Sequence, residues 1–254
     1  MKIVILAAGY AVRLHPLTLN MPKPLLKIGK KSIIDRIIDK VVELDDVDEI
    51  DVVSNGRFFS KFEDWLKSAK HKELICLVND GTTTNDTRLG AINDLDLVIR
   101  ERAVSDDLLI VAGDNVFELD MEDFIGFARK NQDGISIAVH DIKEIDAAKN
   151  FGVITIDSGN RVVDFDEKPQ FPRSTLVSTG IYYFPKKKLS FIKDYVKMAN
   201  KLDAPGYYIS WLSKVEKVYG YKFLEDWCDI GNIESYEKAD KKYTEKENRA
   251  NGKA

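Results

Sequence analysis

The chain has 254 residues, with 38 Lys and Arg against 42 Asp and Glu, a formal net charge of −4. A mildly acidic chain lacks the global positive field on which non-specific nucleic-acid binding relies, so no nucleic-acid partner is expected. With 44% hydrophobic residues, 15 Gly and 7 Pro, the composition is that of a globular protein able to bury a sizeable core, not of a disordered or collagen-like chain.

The opening run, Met1 to Gly9, is too short for a membrane span or a signal-peptide core and predicts a first strand over Lys2–Ala7. No membrane partner is expected. Short apolar runs at Glu49–Ser54, Leu74–Asn79, Leu108–Ala112 and Gly134–His140 alternate with amphipathic stretches at Ser32–Leu44, Phe58–Ala69, Asp86–Arg102 and Met121–Asn131. That alternation predicts an α/β fold, a Rossmann-like and mostly parallel sheet flanked by helices. Among the amphipathic stretches the logic is plainest for Ser32–Leu44, where Ile33, Ile34, Ile37, Ile38, Val41 and Val42 recur at helical spacing behind a capping Ser32.

Two cysteines, Cys76 and Cys228, cannot make a disulfide framework and point to a reducing compartment, the cytoplasm. Beyond about residue 150 the texture changes to strands at Phe151–Ile156, Arg161–Phe165, Val177–Phe184 and Lys222–Leu224, separated by turns, which predicts an antiparallel addition. Helices are expected near Leu189–Lys201, Tyr207–Lys217 and Ile233–Tyr243. The residues from about 241 to 254 are polar and are expected to fray, leaving 1–240 as a single domain.

The first strand runs into Leu6-Ala7-Ala8-Gly9-Tyr10-Ala11-Val12-Arg13-Leu14, with Met21-Pro22-Lys23-Pro24-Leu25 following. Small residues at the carboxyl end of a buried strand let backbone N–H groups approach phosphate oxygens. Arg13 offers a planar fork and Lys23 a compact charge between two prolines, a combination suited to a polyanion. A generic tight turn flanked by solvated cations fits the same residues. Neither a dinucleotide-binding nor a Walker fingerprint is present in the loop.

Asp114 closes the run Leu108–Ala112 in Gly113-Asp114-Asn115, and Asp229 stands in Trp227-Cys228-Asp229-Ile230-Gly231. A hard oxygen ligand at the strand end suits Mg²⁺, which makes Asp114 a first candidate, with capping of the following turn or helix as the alternative. Asp229, just before a glycine and a new helix, reads by itself as a helix N-terminal residue.

Together these segments resemble the signature of the nucleotidylyltransferases acting on sugar 1-phosphates, L-A-[AG]-G-x-G-[ST]-R-L-x-P-L-T followed by P-K-P-L-L. The resemblance continues in order through Phe151-Gly152-Val153, Glu167-Lys168-Pro169 and Val177-Ser178-Thr179-Gly180-Ile181-Tyr182. It implies transfer of a nucleoside monophosphate from a nucleoside triphosphate to a sugar 1-phosphate, with Mg²⁺ held by Asp114 and Asp229 and Arg13 and Lys23 as catalytic cations. Leu6, Ala7, Ala8, Gly9, Asp80, Gly81 and Gly90 would bind the nucleotide; Gly152, Glu167, Lys168 and Thr179 would bind the sugar phosphate. Residues 1–145 would then form a nucleotide half and 146–240 a sugar half, and homo-oligomer formation is implied as well.

Without the resemblance, Gly152 reads as a strand-start glycine and Glu167-Lys168 as a solvated turn. Ala11 and Val12 depart from the signature, which has a second glycine and a small hydroxyl residue there. Alanine allows close approach with a negative φ, whereas Val12 removes a side-chain donor, so weaker triphosphate binding is expected. Two rivals remain: a cytidylyltransferase acting on a phospho-alcohol such as phosphocholine or an inositol phosphate, and a catalytically silent nucleotide-sugar sensor. His15, His71 and His140 need no catalytic role, because a phosphate monoester is already a competent nucleophile.

Overall fold

The computed structural model describes residues 1–198 and 205–251. Its strands are β1 (Lys2–Leu6), β2 (Lys27–Ile28), β3 (Lys31–Ser32), β4 (Glu49–Ser54), β5 (Ile75–Asn79), β6 (Leu108–Ala112), β7 (Asn115–Phe117), β8 (Ile135–Asp141), β9 (Gly152–Ile156), β10 (Val162–Glu167), β11 (Leu176–Phe184), β12 (Val218–Phe223) and β13 (Trp227–Asp229). The helices are α1 (Ile33–Val41), α2 (Phe59–Ser68), α3 (Ala91–Glu101), α4 (Met121–Lys130), α5 (Ile145–Ala148), α6 (Ser190–Met198), α7 (Pro205–Val215) and α8 (Ile233–Asn251).

Nine strands form one sheet, in the order β10-β9-β11-β6-β1-β4-β5, with β8 pairing β11 and β12. β1 lies between β4 and β6 and is parallel to both, Ile5 opposite Val52 and Val111. Alternation along β1 splits the core: Ile3 and Ile5 face one layer, Val4 the other. The first layer takes α1, α2, α4 and α8, the second α3, α6 and α7. Burial on both faces is what makes the early strands continuous apolar runs rather than alternating ones. Ser32 caps α1, accepting from the Asp35 backbone N–H at 3.2 Å.

The antiparallel addition is present but threads into the sheet. β11 runs antiparallel to β6 and β8, and β9 and β10 extend the far edge. β8, expected to belong to the parallel set, instead pairs antiparallel with β11 and parallel with β12. A bulge in β11 between Ser178 and Tyr182 bends that strand at Gly180, whose φ is +76°.

α3 starts at Ala91 rather than Asp86. Residues 85–87 form a 3-10 turn capped by the Thr84 hydroxyl, and Gly90 turns the chain with φ +88°. The predicted helix over Leu189–Lys201 is described as far as Met198; residues 199–201 lie outside the described residues.

The C-terminal tail corrects the expectation of fraying, since α8 continues to Asn251; residues 252–254 lie outside the described residues. Tyr236, Ala239 and Tyr243 form a sparse apolar stripe, the last two buried against the first layer. Arg36 stacks on the Tyr243 ring at 4.3 Å and pairs with Glu247 at 2.5 Å. The helix also holds the β2–β3 hairpin, with Asp240 accepting from the Gly29 N–H at 2.7 Å and Tyr236 donating to the Lys27 carbonyl. No helix among the described residues is long and apolar enough to cross a membrane.

Candidate active site

The carboxyl ends of β1 and β6 converge. The Gly113 N–H donates to the Leu6 carbonyl at 2.9 Å, and a β-carbon at Gly113 would stand 2.7 Å from that oxygen, so a glycine is needed where the strands approach. A cleft of about 490 Å³ opens over these ends. Leu6, Ala7, Ala8, Gly9, Arg13 and Lys23 line one side and Gly152, Glu167, Lys168 and Thr179 another, with Asp114, Asp229 and Gly90 between. All but two of the residues expected from sequence therefore meet here.

The exceptions, Asp80 and Gly81, are not among the lining residues. Asp80 instead accepts from the Thr82 N–H at 2.7 Å and the Thr82 hydroxyl at 3.0 Å, and Thr82 in turn meets the Tyr10 hydroxyl at 3.0 Å. Burial raises the Asp80 carboxyl above its ordinary value. This network braces the loop after β1 from behind.

Asp114 and Asp229 are brought together by a strand pair that the sequence did not reveal. β13 runs antiparallel to β7 with Asp229 opposite Asn115, and the Ile230 N–H donates to the Asp114 carbonyl at 3.1 Å. Burial first, and then the charge of Asp114, push the Asp229 carboxyl up to about 6. Lys23 answers that charge. Only 9% exposed, its Nζ donates to Asp114 Oδ2 and to the Ile230 carbonyl, each at 2.8 Å. Two facing carboxylates whose mutual repulsion raises a proton affinity form a donor set that fits a hard divalent cation.

Asn115 ties the opposite wall, donating to the Thr179 carbonyl at 3.0 Å. The Thr179 hydroxyl already donates to the Ala138 carbonyl at 3.0 Å. Glu167 has an 8% exposed side chain, with Lys168 Nζ 3.8 Å away; burial raises its carboxyl and Lys168 opposes the rise. Phe151 and Trp227 meet edge-on at 5.4 Å, and His140 packs against Trp227 at 5.8 Å, a structural role for that histidine.

Ala11 does not meet the condition of a negative φ, since it has φ +48° and ψ +42°. The Thr18 hydroxyl donates to its carbonyl at 2.8 Å. The signature's glycine is thus replaced by a residue held in the left-handed region, at a cost of about 1–2 kcal/mol.

Asp94, Pro205, Gly206 and Ser235 also line the cleft and were missed from sequence, because none belongs to a local pattern of site residues. A different acidic group, Glu49, Asp51 and Cys76, has ligand atoms within 4.8 Å of one another but starts from the amino ends of β4 and β5, away from the cleft. Arg102 already bridges it, donating to Asp51 at 3.0 Å and to Glu49, with Lys2 on Glu49 as well. It is a balanced charge cluster and lends no support to the metal assigned to Asp114 and Asp229.

Residues 2–246 match the sequence model of the family described as "Nucleotidyl transferase". The chain is 34% identical over 239 residues to the bifunctional protein GlmU of Methanocaldococcus jannaschii, covering 91% of this chain and 51% of that one. It is 28% identical to the glucose-1-phosphate adenylyltransferase of Geobacter metallireducens, over 93% of this chain and 64% of that one. The chain thus spans about half to two thirds of the length of these curated relatives. The crystal structure of a UDP-glucose pyrophosphorylase complexed with UDP-glucose superposes with a TM-score of 0.81 at 18% identity, over 96% of this chain and 98% of that one, a likeness of fold. With a family match across nearly the whole chain and the signature residues gathered in one cleft, the chain belongs to the nucleotidyl transferase family.

Proposed function

We propose that this chain transfers a nucleoside monophosphate from a nucleoside triphosphate to a sugar 1-phosphate, giving a nucleotide-sugar and pyrophosphate. The observation that carries the reading is the Asp114–Asp229 pair with Lys23 hydrogen-bonded into it, set between a phosphate-binding loop and a wall bearing Glu167 and Lys168. Support for the sugar 1-phosphate class also comes from the names of the relatives.

The reaction is an in-line attack of the sugar-phosphate oxygen on the α-phosphorus. The protein must bring two anions together, a repulsion of about 4 kcal/mol per charge pair at ~4 Å and an effective dielectric of ~20. Lys23 would neutralise the α-phosphate, Arg13 the departing pyrophosphate and Lys168 the attacking phosphate. Glu167 would accept a hydrogen bond from a sugar hydroxyl. Leu6 to Gly9 and Gly90 would contact the nucleoside, with Asp80 bracing the loop from behind through Thr82 and Tyr10. Asp114 and Asp229 would hold Mg²⁺, which when bound supplies charge neutralisation across the reacting phosphates. Free Cys76 and Cys228 fit a reducing, cytoplasmic setting.

The aromatic wall of Phe151 and Trp227 is a surface that a phospho-alcohol such as phosphocholine would also meet, so the test includes it. Pyrophosphate release is measured with Mg²⁺ for each nucleoside triphosphate against glucose, N-acetylglucosamine and mannose 1-phosphates, phosphocholine and inositol phosphate. Release with a sugar phosphate, lost in Asp114→Ala, is the expected result. Release only with an alcohol phosphate installs the second reading, and binding without release makes the chain a sensor.

A further inference from the structure

Glu167 is confined by two glycines. On one flank a β-carbon at Gly152 would reach Glu167 Oε2 at 3.1 Å and the Phe165 ring at 2.5 Å. On the other, a β-carbon at Gly206, in the first turn of α7, would stand 1.7 Å from Oε2, 2.4 Å from Cδ and 3.2 Å from Cγ of Glu167. The three atoms nearest that missing side chain all belong to Glu167. A methyl there would therefore displace the end of one flexible side chain rather than the backbone.

The closeness is built into the packing. Ser210, one turn further along α7, donates to the Phe165 carbonyl at 2.9 Å, which fixes the helix on β10, the strand that ends in Glu167. Gly206 and Glu167 both face the cleft, and an eleven-residue helix presents its positive end to the carboxylate.

Resting on the sugar-phosphate reading of the cleft, we propose that Gly206 is a positioning and specificity-determining residue: its missing side chain lets α7 close on Glu167 and sets where that carboxylate meets a sugar hydroxyl. The ligand class it selects is a hydroxyl-bearing sugar phosphate. Contacts that run through the phosphates alone do not depend on it.

The experiment compares Gly206→Ala, Glu167→Asp and the double variant with the wild-type chain. Gly206→Ala raises KM for the sugar 1-phosphate about ten- to a hundred-fold, the loss of one charge-assisted hydrogen bond. KM for the nucleoside triphosphate and the melting temperature stay near wild type. In the double variant the carboxyl carbon draws back to about where Glu167 Cγ lay, 3.2 Å and not 2.4 Å from the methyl, so the clash is eased and KM lies well below the product of the two single effects. Strict additivity, an unchanged sugar-phosphate KM in Gly206→Ala, or an equal rise for the triphosphate overturns the proposal. Calorimetric binding of glucose, N-acetylglucosamine and mannose 1-phosphates separates it from the activity. Binding without turnover, weakened by Gly206→Ala, leaves this inference standing while the transferase reading falls; no binding of any of the three to the wild-type chain overturns both.

Discussion

Lys23→Met removes the cation from between Asp114 and Asp229 while keeping most of the apolar stem. Breaking a fully buried ion pair costs about 3–5 kcal/mol, because a charge is left uncompensated. The Asp114 side chain is 38% exposed, and water screens that side, so about 2–3 kcal/mol is expected. For a chain of this length that is a fall of about 5–10 °C in melting temperature. The assay is thermal unfolding in chelator at pH 8, repeated in an Asp229→Asn background. There the Asp114–Asp229 repulsion is already gone and one carboxylate is left for Lys23 to offset, so the loss should shrink to less than half.

pH supplies a second check on the same pair. Asp229 has a folded-state value raised to about 6, above its ordinary one, so its ionisation burdens the folded protein above pH 6 and is relieved as pH falls toward 4. The Lys23→Met deficit should therefore diminish between pH 8 and pH 5, and added Mg²⁺ should recover part of it at pH 8. Turnover should drop at least a hundred-fold. An unchanged melting temperature at pH 8, or the same loss with and without Asp229→Asn, refutes the account of Lys23 as the counter-charge of this pair.

Ala11→Gly relieves the left-handed strain of about 1–2 kcal/mol and adds unfolded-chain entropy worth about 0.4–1 kcal/mol, so the melting temperature should rise by a degree or more; a fall would mean the methyl packs better than the backbone geometry implies. Truncation after Asp240 removes Tyr243, buried against the first layer, and the Glu247 partner of Arg36, and should cost about 3–5 kcal/mol in urea unfolding. Asp51, wholly buried, is raised to about 6 by burial and by Glu49, so its ionisation also weakens the fold above pH 6. Asp51→Asn should flatten the stability profile between pH 4 and 6, as read from denaturant midpoints at each pH.

Local features are legible along the chain. Continuous apolar runs made the parallel strands, a six-residue aliphatic stripe behind Ser32 made α1, and the motif from Leu6 to Lys23 carried the family resemblance, because each of these is written in neighbouring residues. Tertiary structure decided whatever depends on partners far along the chain. β7 and β13 are three residues each, too short to leave a period, yet their pairing is what sets Asp229 beside Asp114 across more than a hundred residues. The capture of α8 by Arg36, in a segment whose apolar residues are too few to predict burial, is of the same kind. So are the brace formed by Asp80 and the fit of Gly206 to Glu167, since a glycine's meaning lies in what approaches it, and only the folded chain determines that.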